Sequence, residues 1–223
     1  MEHKILLKSL SHSFREKSIL ADVNLECKTG GVTAVFGRNG TGKSTLFKVL
    51  FGTLKPDYAE IYYNGQLLSK NFPLNRLVAY HTQEVMLPKN IRVRNLIALY
   101  CRTSAKQDKV FYAPGIHDMQ DKKVSALSLG QQRYLQFLLI LNLDQPFILL
   151  DEPFSMVEPL YKDLIKEKIV EYKAHKGFII TDHYYLDVLA IADNVNLIRD
   201  GKIIAIDKKE QLIELQYLSE QAI

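Results

Sequence analysis

Short apolar runs rich in β-branched residues alternate along this chain with stretches whose apolar positions recur every three or four residues. The runs at 32–36, 77–81, 147–150, 178–181, 195–199 and 203–206 predict strands. The stretches at 43–51, 93–101, 129–143, 160–172, 184–192 and 208–218 predict helices. Such alternation implies an α/β fold, with a mainly parallel sheet covered by helices. Pro159 suits the first turn of the helix at 160–172, because its missing N–H would have no helical partner there. The opening stretch, to about residue 64, has a different pattern. "KILLKSLSHSF" and "DVNLECK" alternate apolar and polar positions, and turn signals such as "KTGG" separate the runs, so an antiparallel β piece is expected. Residues 84–127 form a third region, helical in pattern but weak around "YAPG". The chain shows no internal repeat, low-complexity tract or flexible linker.

Composition narrows the class. At 223 residues with 47% apolar and 24% charged positions, the chain can bury the core of one large domain. Its apolar runs, such as "FLLIL" and "FILL", are short and far below the roughly 18 residues of a membrane span. The first ten residues carry Glu2 and no long apolar core, so no signal peptide is expected, and no regulatory domain is expected after the last helix. Cys27 and Cys101 lack metal-type spacing and read as two buried, reduced thiols. The net charge of +4 is too mild to predict a nucleic-acid partner. Its location is more telling: residues 84–125 carry eight basic and four acidic side chains, which accounts for the whole excess.

Chemistry concentrates at strand ends. "GRNGTGKST" follows a predicted strand, opens a predicted helix and fits the phosphate-loop pattern G-x-x-x-x-G-K-[ST]. Gly37, Gly40 and Gly42 let successive N–H groups turn toward phosphate oxygens, Lys43 adds a charge, and the Ser44 hydroxyl suits Mg²⁺. "FILLDEP" is a buried strand ending in Asp151 and Glu152, which strand alternation would aim to opposite sides. Alone, such an end reads as a helix cap or salt bridge. Beside a phosphate loop, Asp151 reads as a metal ligand and Glu152 as the activator of a water. Gln83 and His183 each follow a strand and could hold metal, water or phosphate, although each also fits a structural role. Finally, "LSLGQ" at 127–131 stands before a long apolar helix and reads as an anion-binding helix start.

The ordered set of phosphate loop, Gln83, "LSLGQ", "FILLDEP" and His183 resembles the ATP-binding cassette (ABC) ATPase family, over nearly the whole chain. The resemblance implies a single domain at 1–223 built on a P-loop NTPase core. An antiparallel β subdomain would occupy about 1–31 and 53–76, and a short helical subdomain about 84–145. It implies ATP and Mg²⁺ as ligands, with Gly37, Arg38, Asn39, Gly40, Thr41, Gly42, Lys43, Ser44 and Thr45 around the phosphates. Phe14 would stack on adenine, unless it is a β-core residue. Ser44, Gln83 and Asp151 would hold Mg²⁺, Glu152 would be the general base and His183 the switch histidine. Ser128, Leu129, Gly130 and Gln131 would meet the nucleotide of a second cassette, head to tail.

Two positions depart from the family pattern. Leu129 replaces the usual signature glycine, and Glu158 takes the D-loop place usually held by aspartate, one methylene shorter. The helical region is also shorter than in many transporters. The resemblance further implies a peripheral position on the inner face of the cell membrane. There residues 83–128 would meet a transmembrane subunit. The positive charge of that region then suits Arg92, Arg94 and their neighbours to an acidic segment or anionic headgroups, and fits a plain solvated face equally well. The alternative is a soluble ATPase of the same family acting outside transport. It is disfavoured because one cassette without a long insertion is the transporter pattern.

Overall fold

The computed structural model, which describes residues 2–219, contains two sheets, one antiparallel and one mainly parallel. β1 (Lys4–Phe14) and β2 (Lys17–Lys28) form a long antiparallel hairpin. β4 (Tyr58–Tyr63) adds to β1, and β5 (Gln66–Leu67) closes the sheet in the order β2-β1-β4-β5. The β4–β5 turn is Asn64-Gly65, both at positive φ, the pairing that a tight hairpin turn favours.

The second sheet runs in the order β10-β9-β3-β8-β7-β6. Its strands are β3 (Val32–Phe36), β6 (Val78–His81), β7 (Phe147–Asp151), β8 (Gly177–Thr181), β9 (Asn194–Arg199) and β10 (Lys202–Ile206). All neighbours are parallel except β10, which pairs antiparallel with β9. β3, β7 and β8 are buried along their whole length, because both faces are covered. Val35, Leu149 and Ile179 pack with Leu46, Phe47 and Leu50 of α1 (Lys43–Phe51), and with Leu7, Leu20 and Val23 of the antiparallel sheet. Their strand neighbours Ala34, Ile148, Leu150 and Ile180 face the other way, into a second core with α4 (Leu129–Leu141) and α5 (Pro159–Tyr172).

Residues 84–127 contain α2 (Val93–Tyr100) and α3 (Ser104–Phe111), followed by short 3-10 turns. α2 buries Val93, Leu96 and Ile97, one stripe at helical spacing. Four predicted helices are shorter than the pattern implies, α2 by Cys101 alone. α4 stops at Leu141 because the Asn142 side chain donates to the Leu138 carbonyl. α6 covers only Tyr185–Leu189. The stretch at 208–218 yields only α7 (Gln211–Glu214), since the Gln211 side chain takes the N–H groups of Asp207 and Lys208, and Gln216 turns to positive φ. Cys27 and Cys101 are buried and free.

β3, β8, β7 and β6 are adjacent and parallel, so their carboxyl ends lie side by side on one edge. Gly37, Asp182, Glu152 and Thr82 follow those four ends. In an open α/β sheet this edge is where ligands bind.

Candidate active site

The loop from Gly37 to Gly42 joins β3 to α1, and two of its glycines are obligatory for geometric reasons. A Cβ on Gly37 would stand 2.6 Å from Thr41 Oγ1 and 3.0 Å from the Ile198 carbonyl. Gly42 has φ 105°, and a Cβ there would meet Leu20. Arg38, Asn39 and Gly40 lie exposed on the crest of the loop, with Ser44 exposed at the helix start and Thr45 half-buried. Thr41 braces the loop by donating to the Arg38 carbonyl at 2.9 Å. Lys43 folds back over it, its Nζ donating to the carbonyls of Gly37 at 2.7 Å and Arg38 at 3.1 Å. Burial lowers the Lys43 pKa, while the charges of Glu152 and Asp151 oppose that shift. The ammonium is thus held in a concave, anion-ready loop, with two carboxylates near enough to matter.

Those carboxylates do not leave the sheet as simple alternation predicts. Asp151 ends β7 and is buried, whereas Glu152 turns out of the strand at φ 51°. The Glu152 N–H donates to the Thr181 carbonyl at 2.7 Å, which pins this left-handed backbone. Its side chain then meets three partners. Gln83 Nε2 donates to Oε2 at 2.8 Å, Ser155 Oγ to Oε2 at 3.2 Å, and His183 Nε2 stands 3.1 Å from Oε1. Asp151 accepts the Tyr80 hydroxyl at 2.7 Å. Burial raises the Asp151 pKa and the Tyr80 hydrogen bond pulls it back down. Asp182, also raised by burial, accepts the N–H groups of Phe154 at 2.7 Å and Tyr184 at 2.9 Å. It therefore fixes the two loops that carry Glu152 and His183.

The phosphate loop, Asp151, Glu152, Gln83 and His183 thus gather at one sheet edge. Two other groups lie apart from them. Phe14 is 52% exposed, so it is not a core residue, and its ring stands perpendicular to that of His12 with centroids 4.7 Å apart. Ser128 is the N-cap of α4 in a capping box: its Oγ accepts from the Gln131 N–H at 3.1 Å, and its N–H donates to Gln131 Oε1 at 3.0 Å. Leu129 is exposed, and Gly130 is buried beneath Glu158. Arg94 is already paired with Asp121, which neutralises part of the basic surface on that region.

Tyr80, Ser155, Asp182 and Arg133 emerge only from the structure. Arg133 carries the one sequence signal among them: it is the sole charge between Gln132 and Leu143, inside an otherwise apolar and amide-bearing helix.

The donor set fits a magnesium nucleotide. Among the described residues no cluster of three or more His, Cys, Asp and Glu side chains forms a metal cage. Magnesium bound through one or two carboxylates and substrate phosphates requires none. The sequence model of the family described as ABC transporter matches residues 20–155, more than half of the chain. The chain belongs to the ABC transporter family. Across 96% of its length the cassette is 28% identical to the lipopolysaccharide export system ATP-binding protein LptB of Haemophilus influenzae, covering 96% of that protein. It is 29% identical to the thiamine import ATP-binding protein ThiQ of Photobacterium profundum, over 94% of each chain. Among solved structures it resembles the ATP-binding subunit of an ABC transporter with TM-score 0.83, at 21% identity over 97% of this chain and 94% of that one. A nucleotide-free ATP-binding cassette aligns with TM-score 0.81, at 22% identity over 99% and 97%. The cassette is an ATP-binding and ATP-hydrolysing subunit of an ABC transporter. No helix among the described residues is long and apolar enough to cross a membrane.

Proposed function

We propose that this cassette hydrolyses ATP as one half of a head-to-tail dimer, with Glu152 as general base. The observation that carries this reading is the convergence of Gln83, Ser155 and His183 on the Glu152 carboxylate, beside a phosphate loop that holds Lys43 inward. Glu152 takes a proton from the attacking water, while Gln83 and His183 fix its two oxygens and line the water's place. Lys43 and the N–H groups from Gly37 to Thr45 bind the phosphates. Mg²⁺, held by Ser44, Asp151 and Gln83, supplies charge neutralisation on the phosphates when bound. Phe14 offers its open face to the adenine.

Ser128, Leu129, Gly130 and Gln131 face the nucleotide of the second cassette. Support comes from exposed apolar side chains near the residues involved: Met156 and Leu160 flank Glu158, which lies over Gly130, while Tyr184 and Leu186 follow His183. An apolar rim of this kind marks an association surface. The chain is read as one domain in three parts, antiparallel β at about 1–31 and 53–76, helical at about 84–145, and the α/β core elsewhere. Its partner in the membrane is a transmembrane subunit, docked from the cytoplasmic side. A groove of about 370 Å³ beside Gln83, lined by Phe51, Tyr80, Met86, Tyr100 and Gln136, suits an inserted segment of that subunit.

Glu152→Gln tests the reading. ATP turnover falls at least a hundredfold while ATP still binds, and sedimentation shows an ATP-dependent dimer. Turnover by Glu152→Gln at the unaltered rate would remove Glu152 from the chemistry.

A further inference from the structure

Arg133 is buried in the middle of α4, where a charge has no water to stabilise it. Its guanidinium is spent on two backbone carbonyls. Nη1 donates to the Gln83 carbonyl, and Nη2 donates to the Glu152 carbonyl at 2.6 Å. These are the same two residues whose side chains meet at 2.8 Å through Gln83 Nε2 and Glu152 Oε2. A single planar fork therefore holds both ends of the Gln83–Glu152 pair from behind.

The backbone of Glu152 shows why such a hold is needed. At φ 51° it sits in a region that a non-glycine residue leaves unless its surroundings over-determine it. Thr181 secures the Glu152 N–H and Arg133 secures its carbonyl, so both polar groups of the strained residue are fixed. Relaxation toward extended backbone would swing the carboxylate away from Gln83 and His183. The nearby charges of Asp182, Glu152 and Asp151 favour a cation at this place. Charge alone does not require arginine, however. Reaching two divergent carbonyls from one side chain requires the fork.

We propose that Arg133 is a positioning residue for ATP hydrolysis, which holds the backbones of Gln83 and Glu152 in register and ties both to the helix that starts at Ser128. The proposal rests on Glu152 being the general base. Because α4 carries Ser128 at its first turn and Arg133 five residues on, a shift of that helix reaches Glu152 through one side chain.

Arg133→Lys keeps the charge and removes the fork; Arg133→Gln removes both. In the full chain, Arg133→Lys is expected to keep its KM for ATP within about twofold and to lower kcat about ten- to a hundredfold, the scale of a small misplacement of a catalytic group. Added to Glu152→Gln, where turnover is already lost, Arg133→Lys should leave the ATP-dependent dimer at full strength, because the lesion lies in the chemical step. A merely structural role would weaken that dimer and raise KM. A kcat for Arg133→Lys within twofold of the unaltered chain overturns the proposal. So does failure of Arg133→Lys to fold, which would make the side chain a core element. If Arg133→Gln does not fold, Arg133→Lys decides alone. If Glu152→Gln hydrolyses ATP normally, it is the assignment of the base that fails, whatever Arg133 does.

Discussion

The Glu158 carboxylate lies over Gly130 of the same chain, with Oε1 3.4 Å from the Ser128 hydroxyl. It therefore covers the N-terminus of α4, where free N–H groups and the helix dipole favour an anion. Under the dimer reading this is also where the second cassette's terminal phosphate docks. The carboxylate and the phosphate would compete for one place, and the extra methylene of glutamate lets the carboxylate reach it. Glu158→Gln removes the competing charge. ATP-dependent dimerisation, measured by sedimentation in the Glu152→Gln background, should tighten roughly two- to fivefold, matching the ~0.3–1 kcal/mol of an exposed charge at a helix end. Unchanged or weaker association would show that the carboxylate does not stand in the way.

Two glycines separate loop geometry from surface tolerance. At Gly37 an added Cβ meets the Ile198 backbone carbonyl and the Thr41 hydroxyl, neither of which can yield without moving the loop. Gly37→Ala is expected to weaken ATP binding at least tenfold and to lower folding stability by roughly 1–3 kcal/mol, the usual range for overpacking. At Gly130 the added methyl meets only the tip of the exposed Glu158 side chain, which can swing aside. Gly130 is buried, but because only a flexible carboxylate tip has to move, Gly130→Ala should keep its folding stability within about 0.5 kcal/mol of the unaltered chain. Calorimetry and ATP titration on the two variants check the contrast.

Much of this architecture is legible in the residues. The phosphate loop shows because a fixed glycine spacing is a backbone requirement, and the parallel sheet because its strands are apolar on both faces. Tyr80 is invisible as a functional residue because its role comes from register. It pairs with Leu149 on β7, and only that alignment brings its hydroxyl to Asp151. Arg133 is only half legible: its lone charge in an apolar helix stands out in the sequence, but its burial and its two carbonyl partners appear only in the fold. Glu152 is legible as a carboxylate, but its direction follows from a left-handed turn that no periodicity encodes.

His81 makes stability sensitive to acid. Burial and the nearby Arg133 charge hold its imidazole neutral down to about 4, against 6.5 for the free group, and neither ring nitrogen has a hydrogen-bond partner among the described residues. Between those pH values the unfolded chain binds a proton that the folded chain refuses, so stability falls as pH drops from 6.5 toward 4. The loss amounts to roughly 3 kcal/mol over that window. His81→Leu removes the titrating group. Denaturant melts at pH 7 and 4.5 should show a smaller difference for His81→Leu than for the unaltered chain; an equal difference would place the acid sensitivity elsewhere.

Tyr80→Phe isolates one hydroxyl. The ring packs against Phe47 and Phe51, at centroid distances of 5.9 Å and 5.4 Å, so phenylalanine keeps the packing. What is lost is the donor that orients Asp151 and lowers its pKa against the effect of burial. Two consequences follow from that one loss. The Asp151 carboxylate is less well aimed at a bound magnesium, so the Mg²⁺ concentration for half-maximal ATPase activity should rise about tenfold or more, as for other partners that orient metal ligands. Asp151 also protonates at higher pH, so activity that needs it ionised should begin to fall at higher pH than in the unaltered chain. Steady-state ATPase assays across Mg²⁺ concentration and across pH read both effects. A Tyr80→Phe enzyme with an unshifted magnesium curve and an unshifted acid limb would show that Asp151 is oriented by the strand alone.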